Sequence, residues 1–252
     1  MNKDRGFTLV ELSIVIVIIG LIVAGIVGGE ALVRQAKLRT IIAEYNSYKL
    51  AANAFKLEYD EIPGDISRAS AFGLGSDGNG DKKIHSNRDE ILYVWAHLSN
   101  ANLLPNSYIE GQDANPRFTI GESSPQSGFG SNITAIFSHI GLNSRNCIRA
   151  LSSPLFGIYS QINVIAIGSN EGDPEGCPRV GFLKVKEAHG IDLKVDDGIA
   201  DNGVMFSANT NATNVNGNRC VDNATDGTGG ASYDFDETGK NCRLIFRFGI
   251  GG

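Results

Sequence analysis

A chain of 252 residues, 42% of them hydrophobic, carries enough apolar side chain to bury a core and too much to be disordered. Its net charge of -6 argues against a protein that grips nucleic acid through a broad basic face, so no firm nucleic-acid partner is expected. The apolar residues are densest at the extreme N-terminus, which suits one anchor followed by one head, and the 31 glycines point to many turns within that head.

The chain opens with Lys3 and Arg5, and no charge stands between Leu12 and Val27. With Phe7 to Val10 this makes the roughly 20 residues that a membrane-spanning helix needs, its short basic end staying in the cytoplasm. One acid interrupts the pattern, Glu11, and an ionisable group within a span costs a few kcal/mol and marks function. An ordinary secretory signal, removed near small residues such as Ala24, is the simpler reading. Against it stand the glutamate and the direct passage of the apolar run into a helical pattern.

The run "RGFTLVELSIVIVIIGLIVAG" resembles the N-terminal signature of the type IV pilin and type II secretion pseudopilin superfamily: a basic leader ending in Gly6, then Phe7 to Glu11, then the membrane helix. The resemblance implies that a prepilin peptidase cuts between Gly6 and Phe7 and methylates the new amine of Phe7. It further implies that Glu11 neutralises the N-terminal amine of a neighbouring subunit during assembly, a buried charge used as a register device. The implied partners are homologous pilin or pseudopilin subunits, the prepilin peptidase, the inner-membrane assembly platform with its ATPase, and the membrane itself. Many pilins have a proline where this chain has Gly28, and its absence leans toward a pseudopilin-like or minor subunit.

Beyond the span, Leu38, Ile41, Ile42, Tyr45, Tyr48, Ala52, Phe55 and Tyr59 recur three or four apart, continuing an amphipathic helix that Pro63 and Gly64 stop. At 1.5 Å per residue the helix from Phe7 to about Asp60 is roughly 80 Å long. The expected domains are therefore a leader at 1–6, a transmembrane half-helix at 7–29, an amphipathic half-helix at 30–62 and a globular head at 63–252 in the periplasm or outside the cell.

Within the head, "DEILYVWAHLSNANLL" sets Ile91, Leu92, Trp95 and Leu98 at helical spacing from near Asp89. "IPGD", this helix and "IDLKVDDG" at Ile191–Gly198 together resemble a subgroup of large pilin-like proteins. Four later runs read as strands: "YSQINVIAIG", "RVGFLKV", "GVMFSAN" and "CRLIFRFGI". A mainly antiparallel sheet laid on the long helix makes an α+β fold.

Cys147, Cys177, Cys220 and Cys242 show no C-x-x-C pair, so disulfides are a better use for them than zinc, and disulfides imply an oxidising compartment. Four cysteines allow three connectivities; pairing sequence neighbours gives Cys147–Cys177 and Cys220–Cys242. Asp77, Asn79 and Asp81 take the alternating first, third and fifth places of an EF-hand-like loop, with the carbonyl of Lys83 as a further ligand for Ca2+. Lys82 stands where that loop needs glycine and Arg88 where it needs an acid, so a polar turn capped by Asp89 is the competing reading. His85, His97, His139 and His189 have no ligand spacing, and no nucleophile or phosphate fingerprint appears, so the chain is not expected to be an enzyme. The expected function is a pilin-like subunit of a pilus or pseudopilus. Its rivals are a minor tip subunit binding DNA, a surface or secreted cargo, and a membrane-anchored hydrolase.

Overall fold

A computed structural model of the chain describes residues 8–85, 89–113, 116–140, 147, 162–209, 219–222 and 232–249. It divides into two compact units, residues 1–39 and 40–252. One helix, α1 (Leu9–Tyr59), contributes to both. The second unit adds α2 (Glu90–Asn100), β1 (Ile133–Ile140), β2 (Ile162–Ser169), α3 (Val185–Val195), β3 (Met205–Asn209) and β4 (Cys242–Phe248).

The four strands form one antiparallel sheet in the order β1-β2-β4-β3. Its register aligns Phe137, Ile165, Phe246 and Met205 in a single row. Upon that row lies the apolar stripe of α1, with Ile41, Tyr45, Ala52 and Phe55 all at most 2% exposed. Tyr45 stacks on Phe246 with ring centroids 4.1 Å apart. Trp95 of α2 locks three elements together: it meets Tyr48 of α1 edge-on at 4.9 Å and Phe137 of β1 at 5.2 Å, and its indole N–H donates to Ala135 O at 3.1 Å. The indole thereby buries a large apolar area without leaving its polar atom unpaired. This is the α+β arrangement that the helical and alternating patterns predict.

Two strand expectations need correction. "RVGFLKV" forms no continuous strand: Val180 and Leu183 make isolated bridges to Ser169 and Cys242, and Val185 already begins α3. Conversely β1, "ITAIFSHI", carries no legible strand pattern because all eight residues are buried, so apolar and polar side chains do not alternate between core and solvent. The expected cap at Asp89 is also absent as a side-chain bond: Asp89 takes a left-handed φ of 64° and its side chain does not cap α2.

Cys147 is bonded to Cys177 and Cys220 to Cys242. The second bridge spans 22 residues and ties the segment after β3 to the start of β4. The Cys220 and Val221 N–H groups donate to Asn209 Oδ1 at the end of β3, at 2.5 and 3.0 Å. Replacing both Cys220 and Cys242 by serine should therefore cost about 3 kcal/mol, mainly by freeing the unfolded chain. Urea unfolding of the detergent-solubilised chain without reductant checks this, and in reductant, which opens both bridges, the wild type and the variant should converge.

Candidate functional site

The first unit holds the chemistry that the N-terminal sequence singles out. Gly6 and Phe7 lie outside the described residues. From Thr8 onward the helix start is built by reciprocal hydrogen bonds. The Glu11 N–H donates to the Thr8 hydroxyl at 3.3 Å, and the Thr8 N–H and hydroxyl both donate to Glu11 Oε2 at 2.8 Å. This is a capping box, in which two otherwise unpaired helix N–H groups are satisfied by side chains three residues apart. The T-x-x-E spacing in "TLVE" carries that signal, which is missed when Glu11 is considered for its charge alone. Only Oε2 is engaged; Oε1 has no partner among the described residues.

From Leu12 to Gly29 the helix carries no charge, and every residue from Thr8 to Ile26 is exposed. A helix that is apolar all round needs a core or a bilayer to cover it, and this segment has no core of its own. Its 18 uncharged residues rise about 27 Å, close to the hydrocarbon thickness of a membrane. Its backbone groups are paired within the helix, as a spanning segment requires. Gly20, Gly25, Gly28 and Gly29 have nothing within 4 Å of where a Cβ would stand, leaving their faces open to another molecule.

Residues 1–27 match the model of the prokaryotic N-terminal methylation motif. The chain carries the N-terminal signature of the type IV pilin and pseudopilin family. No curated protein and no solved structure matches it. The motif is that of membrane-anchored structural subunits, which assemble with other pilin subunits after processing by prepilin peptidase.

The remaining residues singled out from the sequence fall in the second unit. Asp77 is held by Ser70, its Oδ1 accepting from the Ser70 N–H at 2.8 Å and its Oδ2 from the hydroxyl at 3.0 Å. Asn79 Oδ1 accepts from the Asp81 N–H at 2.9 Å, while Asp81 binds the Lys83 N–H at 3.0 Å and His85 Nε2 at 2.8 Å. The loop winds around a residue that the sequence pattern does not single out, the buried Asp65. Its Oδ1 accepts from the N–H groups of Gly80 and Asp81, at 2.9 and 3.2 Å, and its Oδ2 from that of Lys82 at 2.6 Å. Lys82 takes the left-handed φ of 67° that the sharp turn demands, although it is not glycine. Burial lifts Asp65 to about 6, and it lifts the neighbouring Glu90, which accepts the His85 N–H at 2.7 Å, to about 8. "IPGD" is the start of the same assembly. The Gly64 N–H donates to His97 Nδ1 at 3.0 Å, and His97 Nε2 donates to Ser76 O at 2.9 Å.

At the end of α3, Asp192, Asp196 and Asp197 each place a carboxylate oxygen within 4.8 Å of the others. "IDLKVDDG" supplies these three acids, a segment notable in the sequence for its resemblance and not for its chemistry. Burial lifts Asp192 to about 6, the charges of Asp197 and Asp196 adding to the effect.

Proposed function

We propose that this chain is a pilin-like structural subunit, cut by prepilin peptidase between Gly6 and Phe7, methylated at Phe7, and built into a type IV pilus or a type II secretion pseudopilus. One observation carries the reading: a methylation motif runs directly into an exposed apolar stretch of helix, residues 9–26, whose sole acid stands at its first turn. Lys3 and Arg5 keep the leader in the cytoplasm, while the disulfides suit a head on the oxidising, periplasmic side. The inner-membrane platform and its ATPase then extract the subunit, and the open glycine faces let neighbouring helices approach. Glu11 has one oxygen on its own helix cap and the other free for a neighbour's amine, which gives the charge a use worth its cost in the bilayer.

The test is co-expression with an assembly system, reading intact mass and sheared filaments. Gly6→Ala should leave the leader uncut. Glu11→Ala should be cut and inserted as well as the wild type, because removing a charge only favours the bilayer, yet should fall at least about tenfold in sheared filaments, the equivalent of losing roughly 1.4 kcal/mol of subunit contact. Normal filament yield from Glu11→Ala would overturn its role, and a mature chain starting near Gly25 would overturn the whole reading.

A further inference from the structure

We propose that the turn after α3 is a calcium site formed by Asp192, Asp196 and Asp197. The case begins with one atom. Asp192 is fully buried, and Tyr233 satisfies only one of its oxygens, donating its hydroxyl to Oδ2 at 2.7 Å. Asp192 Oδ1 is buried with no hydrogen-bond partner. A buried carboxylate oxygen without a donor is costly, and in native proteins it calls for a specific partner.

The two other acids supply the rest of a ligand set. Asp196 is drawn inward by its Oδ2, which accepts from the N–H groups of Val204 and, at 3.1 Å, Met205. Gly203, at φ 74°, makes room for that carboxylate, since a Cβ there would collide with it. Asp197 sits on the exposed side and is held by the Ile199 N–H and by Asn202 Nδ2, both at 2.8 Å. Among the described residues no lysine, arginine or histidine forms an ion pair with any of the three. The carboxyl end of α3 adds its own partial negative charge at the same place.

The chemistry of these donors selects the ion. Carboxylate oxygens without thiolate or imidazole favour a hard cation. Calcium binds oxygen at about 2.4 Å, so ligands around one ion stand no more than about 4.8 Å apart, a limit that the three carboxylates meet. A turn with one buried and one solvent-facing ligand leaves room for water in an irregular shell, which calcium accepts and magnesium resists. Binding would fasten the end of α3 to the start of β3 through Asp196 and to Tyr233 through Asp192.

The full chain in detergent micelles, titrated with calcium or magnesium after stripping with chelator, decides the matter. Calcium at about 100 times its Kd should raise Tm by about 5 °C or more, and magnesium at the same concentration should do much less. Asp197→Asn, on the exposed side, and Asp192→Asn, which keeps an acceptor for Tyr233, should each abolish the rise. The rise should survive Asp77→Ala combined with Asp81→Ala. Terbium bound at the site should emit when tyrosine is excited, and Tyr233→Phe should remove that emission while leaving the calcium shift. No shift with calcium, an equal shift with magnesium, a shift that persists in Asp197→Asn, or one that disappears in the Asp77/Asp81 variant would each overturn the assignment.

Discussion

Gly64→Ala should lower the melting temperature of the detergent-solubilised chain by about 10 °C. Gly64 has φ 90°, where an L side chain costs about 1 kcal/mol on the backbone alone. Lack of space costs more. An added Cβ would lie 2.6 Å from Val94 Cγ2 and 2.7 Å from the carbonyl oxygen of Glu90, and that oxygen belongs to the backbone of α2, which cannot step aside as a side chain would. Moving the turn away from α2 also breaks the Gly64 N–H bond to His97, leaving a fully buried ring nitrogen without its donor. Together these cost about 4 kcal/mol, and in a chain of this size each kcal/mol is worth about 2–4 °C. Gly73→Ala separates strain from collision. Gly73 also has positive φ, 69°, but nothing lies within 4 Å of its missing Cβ, so its loss should be about 1 kcal/mol. Equal effects at the two glycines would show that the packing against α2 is not what fixes this turn.

The same turn shows how far the sequence could be read and where it stopped. Pro63–Gly64 correctly marks the end of the long helix, because a proline and a positive-φ glycine are local signals that need no knowledge of the fold. The motif at Gly6, Phe7 and Glu11 is local too, and so is the apolar run that follows it. By contrast, the use of Asp65 depends on a loop fifteen residues downstream wrapping its N–H groups around one carboxylate, and spacing alone cannot reveal that. "DGNGDKKI" was legible as a turn rich in oxygen side chains, but which of those oxygens the protein itself occupies is decided by Ser70, Lys83 and His85. β1 escaped because both faces of the sheet are covered there, which erases the alternation by which a half-buried strand is recognised. The acids of "IDLKVDDG" could be picked out from sequence, yet their convergence rests on the helix ending at Val195 and the chain doubling back to β3.

The head should lose stability as pH rises from about 4.5 to 8, with the titration of His97 opposing that trend below about pH 6.5. His97 is fully buried, accepts the Gly64 N–H at Nδ1 and donates from Nε2, so its neutral form fits and its charged form does not. Burial pushes its pKa down from 6.5 to about 4. The unfolded chain therefore binds more protons than the native one between those values, and stability falls as pH drops through that window, by up to about 3 kcal/mol. Glu90 has the opposite sign. Its pKa is raised from 4.5 to about 8, so the native state binds more protons in that range and the stabilisation present at low pH is lost as pH rises through about 8. Asp65 and Asp192, each raised from 3.8 to about 6, slope the same way as Glu90 and overlap the His97 window. Between about pH 4.5 and 6 the three acids together outweigh His97, between about pH 6 and 6.5 Glu90 and His97 balance, and above that Glu90 acts alone, so the wild type loses stability as pH rises from about 4.5 to 6 and again from about 6.5 to 8. Glu90→Gln keeps an acceptor for the His85 N–H but cannot titrate, so it should flatten the decline above about pH 6.5 and make the decline between about pH 4.5 and 6 shallower. Urea midpoints followed by the fluorescence of Trp95, the one tryptophan and fully buried, measure the profile from about pH 4 to 8. Parallel profiles for the wild type and Glu90→Gln would mean that Glu90 does not hold its proton.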